Sequence, residues 1–188
     1  MGSPSKEERV LELFLNEPTK HWHFHDIVKT AGVSEAAAHK WLKKLVKEGI
    51  IAHVEFLGKM PYFQSRWNSS EYQIRKKSFA IRKLEESGVL QELMSMENAK
   101  TVVIFGSWYR GDWNTHSDVD VFILGDAGHL SAGTYLNNLG FQGKPREISV
   151  HSYPSHREIR EIKSGLMKNV VKGFFVKGSV HDIAKVTI

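Results

Sequence analysis

The 188-residue sequence contains no cysteine, which excludes disulfide bonds and any zinc site built on cysteine thiolates. No apolar run approaches the length of a membrane-spanning helix, and no secretory leader is recognisable. We therefore expect no membrane partner and a reducing, cytoplasmic location. Internal repeats and low-complexity segments are also lacking, so repeat proteins and disordered chains are excluded.

The residues that are present are typical of one or two globular domains. Hydrophobic residues make up 41% of the sequence and charged residues 25%, which are ordinary fractions. Basic residues outnumber acidic ones and give a net charge of +5. This excess is mildly suggestive of a nucleic-acid partner, although the positive charge is spread along the chain.

Two carboxylates at the start of an apolar segment are the most informative feature of the second half. Asp118 and Asp120 begin the run 118–124, which otherwise consists of apolar residues typical of a buried strand. Residues i and i+2 of a strand point to the same side, so both carboxylates would face one point in space. Two oxygen ligands at this spacing suit Mg²⁺, which binds a few carboxylates together with substrate phosphates.

A Gly-Ser turn precedes the carboxylate pair by ten intervening residues. The apolar run 102–105 ends there, and Gly106 and Ser107 stand at the start of a predicted helix. Glycine lets a ligand approach the backbone closely, and the N–H groups at a helix N-terminus favour phosphate. A phosphate cradle beside a metal-binding carboxylate pair indicates phosphoryl or nucleotidyl transfer chemistry.

The run of Gly-Ser, ten residues and Asp-x-Asp between two apolar strands resembles the minimal nucleotidyltransferases of the DNA polymerase β-like superfamily. The motif is fairly specific because it couples a spacing to a strand–turn–strand context, and the resemblance covers about residues 98–188. It implies a nucleoside triphosphate bound with two Mg²⁺ ions, or Mn²⁺ in their place, and transfer of a nucleotidyl group to a hydroxyl. Asp118 and Asp120 are then catalytic metal ligands. The implied nucleotide-binding residues are Gly106, Ser107, Arg110 and Ser117.

The same resemblance implies a third carboxylate on a later strand, and Glu147 is its match. Polar and apolar residues alternate over 147–151, as in a strand. Glu147 would be the third metal ligand, or the base that deprotonates the attacking hydroxyl. One departure is Tyr109, which stands where the motif usually has a small residue. A degenerate domain that binds nucleotide without catalysis stays open as an alternative.

Residues 1–67 predict a winged helix-turn-helix domain. Capping and helix-breaking residues bound three helical segments, and a Gly-Lys turn then joins two strand-like segments that form the wing. In this DNA-binding arrangement the later helix enters the major groove. The alternative is a module for protein docking or dimerisation. The residues expected to contact duplex DNA are Ser34, Ala36, Ala37, His39, Lys40, Lys43 and, on the wing, Lys59.

The expected fold class is α+β, with a helical linker over residues 68–97 and a small mixed-sheet nucleotidyltransferase domain over 98–188. Two functions compete. In the first, the protein is an enzyme that modifies a partner, since the motif spacing is similar to that of antitoxins that add AMP to a ribonuclease toxin of the HEPN type. In the second, it is a DNA-binding regulator whose nucleotidyltransferase domain only senses nucleotide. A homodimer is compatible with either function.

Overall fold

The computed structural model describes residues 4–128, 130, 139–160 and 164–184. The chain divides into two compact units, Met1–Ser78 and Phe79–Ile188. The division falls inside one helix, Ser70–Glu86, which follows the last strand of the first unit. Within the described ranges, no helix combines the length and the apolar character that crossing a bilayer requires.

The first unit contains three helices followed by a two-stranded antiparallel hairpin. Ser5 caps the first helix through a capping box, in which its hydroxyl accepts from the Glu8 N–H and the Glu8 carboxylate accepts from the Ser5 N–H. Gly32 ends the second helix in the left-handed conformation, and this turn leads directly to the third. The elements are α1 (Lys6–Asn16), α2 (Phe24–Ala31), α3 (Glu35–Lys47), β1 (Ile51–Val54) and β2 (Tyr62–Ser65).

The third helix is amphipathic, as the spacing of its residues predicts. The Ser34 hydroxyl caps it by accepting a hydrogen bond from the Ala37 N–H at 3.3 Å. Ala38, Leu42 and Leu45 are buried and turn one face of α3 into the core of the first unit. The opposite face of α3 is therefore left for its charged residues.

The second unit is built on a four-stranded mixed sheet in the order β5-β4-β3-β6. Strands β4 and β5 are parallel, whereas β3 is antiparallel to both of its neighbours. This arrangement confirms an α+β class with a small mixed sheet. The elements are α4 (Ser70–Glu86), α5 (Val89–Ser95), β3 (Ala99–Phe105), α6 (Gly106–Arg110), β4 (Val119–Gly125), β5 (Ile148–Tyr153), α7 (His156–Arg160), α8 (Ser164–Val170), β6 (Phe174–Lys177) and α9 (Val180–Ala184).

One face of the central strands forms an apolar core with the last three helices. Phe122 and Leu124 of β4 pack in this cluster with Val103 and Phe105 of β3. The helices α7, α8 and α9 contribute Ile159, Val170 and Ile183, all of them almost fully buried. Because side chains alternate along a strand, Asp120 lies on the same face as Phe122, just where the apolar cluster ends. The sheet thus places a carboxylate at the rim of its own core.

Candidate active site

The predicted carboxylate pair lies at the beginning of the central strand β4. Asp118 is exposed and comes directly before the strand, while Asp120 is its second residue, with 29% of its side chain exposed. The two residues are close enough for the negative charge of Asp118 to raise the pKa of Asp120. The structure therefore brings together the two oxygen donors that the spacing predicts.

Burial and the nearby basic groups shift the pKa of Asp120 in opposite directions. Its pKa is raised above the ordinary value, mainly because burial disfavours the charged form, and the negative charge of Asp118 adds to this effect. The Arg110 guanidinium and, when protonated, the His151 imidazole lower the pKa of Asp120. His151 on β5 places its Nε2 atom 3.9 Å from the Asp120 Oδ1 atom. A cation beside Asp120 would therefore stabilise its charged form.

Gly106 fits against Asp120 so closely that no side chain could replace its hydrogen. It has a φ of +73°, follows the last residue of β3 and begins α6. Phe105, the residue before it, is directly opposite Asp120 in the strand register. A Cβ atom added to Gly106 would overlap the Asp120 carboxylate. Gly106 and Asp120, separated by a loop in the sequence, are therefore in direct contact.

Glu147 lies beside Asp118 rather than beside Asp120. It is exposed and precedes β5, and its carbonyl accepts a hydrogen bond of 2.9 Å from the Val119 N–H. Since Val119 is opposite Ile148 in the parallel register, Asp118 and Glu147 precede paired residues of neighbouring strands. Both line a cleft of about 220 Å³. The cleft residues are Thr115, His116, Ser117, Asp118, Lys144, Pro145, Arg146 and Glu147.

The carboxylate pair fits a divalent cation better than the full set of three acids does. In the described part of the chain, no three histidine, cysteine or acidic side chains are grouped so that they could hold one metal ion. Asp118 and Asp120 nevertheless offer hard oxygen donors on one side of a strand, and they repel each other in the absence of a cation. The role of Glu147 as a third ligand stays a prediction.

Two of the three remaining nucleotide-binding candidates have local partners. Arg110 is exposed and forms an ion pair of 3.2 Å with Asp112. The Ser117 hydroxyl accepts a hydrogen bond of 3.0 Å from the Asn114 N–H, and so shapes the loop before Asp118. Ser107 is half-buried in the first turn of α6, next to Gly106. Arg110 and Ser117 are therefore already engaged with neighbouring residues.

The site contains one residue that sequence reasoning missed. Arg146 is buried, although it adjoins the exposed Glu147, and its guanidinium lies over the rings of Trp108 and Trp113. Two tryptophans within six residues of the motif were the available signal, because such rings commonly attract a guanidinium. Their pairing with a residue some thirty positions later could not be inferred from local spacing.

The residues predicted to contact DNA belong to the first unit. Most of them are exposed, Ala37 being half-buried. Ser34 is engaged as the cap of α3, and the His39 ring stacks on Phe24 of α2 with a centroid distance of 4.3 Å. Lys40 and Lys43 are exposed on the face of α3 opposite the buried stripe. The Lys40 ammonium lies 4.6 Å from the centroid of the neighbouring Trp41 ring.

A family model matches most of the second unit. Residues 86–177 match the family model of the nucleotidyltransferase domain. The match covers a little under half of the chain and includes the Gly-Ser turn, the carboxylate pair and Glu147. It supports a relationship to the nucleotidyltransferase superfamily, and with it a nucleotide substrate. Comparison with curated proteins and with solved structures gave no significant match.

The fit between Gly106 and Asp120 in the second unit can be tested with a matched glycine. Gly143 has nearly the same φ, +74°, and nothing within 4 Å of an added Cβ. We expect Gly143→Ala to lower the free energy of unfolding by roughly 1–2 kcal/mol, from backbone strain alone. Gly106→Ala should lower it further, because it also displaces the Asp120 carboxylate. Urea denaturation of both variants measures the difference, and equal losses would contradict the contact.

The raised pKa of Asp120 predicts how stability depends on pH. Folding makes Asp120 harder to ionise, so its charge destabilises the folded state once the pH exceeds the ordinary aspartate pKa of about 4. Without metal, Asp120→Asn should therefore melt at a higher temperature than the wild type at pH 7. The difference should disappear well below pH 4, where both side chains are neutral. Thermal melts in EDTA across this pH range check the prediction, and a gain that persists in acid would indicate a packing effect instead.

Proposed function

We propose that this protein is a Mg²⁺-dependent nucleotidyltransferase that transfers a nucleotidyl group from a nucleoside triphosphate to a hydroxyl group. The observation that carries the proposal is the contact between the Asp120 carboxylate and the Gly106 backbone. A phosphate-binding turn and a pair of metal-binding acids can act on the same ligand only if that ligand reaches both. A metal-bound triphosphate meets that requirement.

Asp118 and Asp120 are the residues that would hold the cation, and Mn²⁺ could replace Mg²⁺ between the same oxygens. When bound, the metal neutralises phosphate charge and stabilises the charge that develops during transfer. The triphosphate is itself an anion, so it cannot approach two carboxylates without cations between them. The resemblance implies two such ions, the second of which would use Glu147 beside Asp118 in the cleft.

The backbone of Gly106 and the Ser107 side chain border the position proposed for the triphosphate. Arg110 carries a positive charge that acts on Asp120, so it is close enough to attract phosphate as well. Ser117 lies in the cleft with Asp118 and Glu147. Taken together, these residues bind and orient the triphosphate, while the acids hold the metal.

Glu147 is proposed as the general base. Its carboxylate is exposed and lines the same cleft as Asp118, so an acceptor hydroxyl could reach both. The hydroxyl oxygen attacks the α-phosphorus, the bond to the β-phosphate breaks, and pyrophosphate leaves. The hydroxyl proton passes to Glu147. The similarity in spacing to AMP-adding antitoxins favours a protein acceptor, such as a toxin partner.

To test this function, the protein and the proteins that co-purify with it are incubated with each α-labelled nucleoside triphosphate. With Mg²⁺, we expect label on an acceptor and metal-assisted nucleotide binding by calorimetry. Asp118→Ala with Asp120→Ala should abolish both. Glu147→Gln should retain binding while transfer falls by roughly 10²–10⁴-fold, the usual effect of losing a general base.

Asp126→Ala is the matched control, because Asp126 is an exposed aspartate that directly follows the opposite end of β4. This variant should behave like the wild type in both measurements. Unchanged metal-assisted affinity in the double variant would refute the metal assignment. Binding without any transfer to an acceptor would support the nucleotide-sensing alternative.

The second candidate function concerns the first unit, which we propose is a winged helix that binds duplex DNA. What supports it is a short turn at Gly32 between α2 and α3, a hairpin after α3, and an exposed basic face on α3. Lys59 is exposed in the loop between β1 and β2, where a wing would contact phosphate. A regulator of this type would use the nucleotidyltransferase domain to sense nucleotide.

Charge reversal on α3 tests the DNA-binding proposal. Lys40→Glu with Lys43→Glu should weaken duplex binding and reduce its salt dependence, because fewer lysine–phosphate contacts then release counterions. The buried stripe of α3 is untouched, so the fold should persist. Lys6→Glu with Lys77→Glu makes the same charge change on two other exposed lysines of the first unit. This control variant should weaken duplex binding less. Mobility shifts at several salt concentrations measure these effects.

Whether the protein prefers one DNA sequence over others separates the two functions. A regulator should bind one sequence more tightly than bulk DNA by roughly 10³-fold or more. The charge reversal on α3 should remove that preference. If the wild type binds no duplex at low salt, the first unit serves protein docking or dimerisation instead.

A further inference from the structure

We infer that Arg146 is a positioning residue for the carboxylate site, acting through the loop of residues 111–117, which we call the approach loop. The inference rests on the proposed function, because it assigns a structural cause to the placement of Asp118 and Glu147. Arg146 lies immediately before Glu147 in the chain, and the approach loop ends immediately before Asp118. Arg146 is thus the chain neighbour of one acid, and its side chain reaches the backbone that leads to the other.

Hydrogen bonds from the guanidinium hold the approach loop from inside the domain. Arg146 is only 3% exposed. Its Nη1 atom donates to the carbonyl of Asn114 at 2.9 Å and to the carbonyl of Ser117. Its Nε atom donates to the carbonyl of Leu139 at 3.3 Å. Because the Ser117 carbonyl belongs to the peptide unit that leads into Asp118, this contact restrains the backbone that carries the metal ligand.

Aromatic rings fix the guanidinium in place. Its central carbon lies 4.4 Å from the centroid of Trp108 and 5.2 Å from that of Trp113. The two indole rings are 4.5 Å apart, and Trp113 also stacks on Phe79. Trp108 belongs to α6 and Trp113 to the approach loop, so the guanidinium joins the helix that starts at Gly106 to the loop that ends at Asp118. A buried charge held on several sides tolerates little displacement.

The geometry indicates that Arg146 acts through its shape and not simply through its charge. Its guanidinium donates to backbone carbonyls through Nε and Nη1 while its plane lies over two indole rings. Lysine would retain the positive charge of Arg146, but it lacks the planar fork that serves several carbonyls and stacks on rings. Arg146→Lys therefore separates the two explanations.

The experiment compares Arg146→Lys with Ile183→Ala. Ile183 is fully buried in the cluster formed with α9, and its truncation destabilises the same unit without touching the approach loop. At a temperature where both variants are folded, Arg146→Lys should speed hydrogen exchange in peptides that cover the approach loop. It should also weaken Mg²⁺-assisted binding of nucleoside triphosphate by about 10–100-fold, as loss of a supporting partner commonly does. Ile183→Ala should leave both readouts unchanged.

Three results would overturn the inference. In the first, the approach loop of Arg146→Lys exchanges hydrogen at the same rate as in the wild type. In the second, that variant binds nucleoside triphosphate with Mg²⁺ as tightly as the wild type. In the third, Ile183→Ala loses as much affinity as Arg146→Lys. If the wild type itself shows no metal-assisted binding, the proposed function fails, and the exchange measurement alone decides the role of Arg146. If Arg146→Lys does not fold, Trp108→Phe reduces the ring support and should still speed exchange in the approach loop. Wild-type exchange in Trp108→Phe would then reject the positioning role.

Discussion

The contact between the Asp120 carboxylate and Gly106 is the constraint on which the rest of the candidate site depends. It requires β3 and β4 to pair in one register, because Phe105 must lie opposite Asp120. It also requires a residue without a side chain at the start of α6. The antiparallel pairing of β3 and β4 satisfies the first requirement, and the positive φ of Gly106 suits the second. The loop between the two strands is then free to carry other groups to the site.

The position of Asp120 at the rim of the apolar core explains its electrostatics. Two residues further along the same face of β4, Phe122 is fully buried, and the register places His151 opposite it on β5. Asp120 is thus partly desolvated, and His151 and Arg110 offset part of the effect of this burial on its pKa. A carboxylate in such a place is destabilising until a cation arrives. The same desolvation strengthens the attraction for that cation, so the cost to folding and the affinity for a metal have one origin.

How much of this could be read from the sequence depends on whether the relevant contacts are local. The apolar run 118–124 and the spacing of its two acids were sufficient to predict a strand with both acids on one side. The turn at Gly106 followed from its neighbours. The buried face of α3 was equally predictable from helical spacing. In contrast, the register that puts Glu147 beside Asp118 depends on pairing between strands that are distant in the chain. Local spacing carries no information about such a register.

Arg146 is a second case in which the sequence alone does not reveal a contact. Beside Glu147, an arginine looks like half of an exposed ion pair, and only the fold shows that its guanidinium is buried over two indole rings. Burying a charge requires partners, and here backbone carbonyls of the approach loop are among them. A carbonyl has no signature in the sequence, so no pattern of side chains could have revealed this contact. The acids of such a site can therefore be predicted from their spacing, whereas the groups that hold them in place become visible only once the chain is folded.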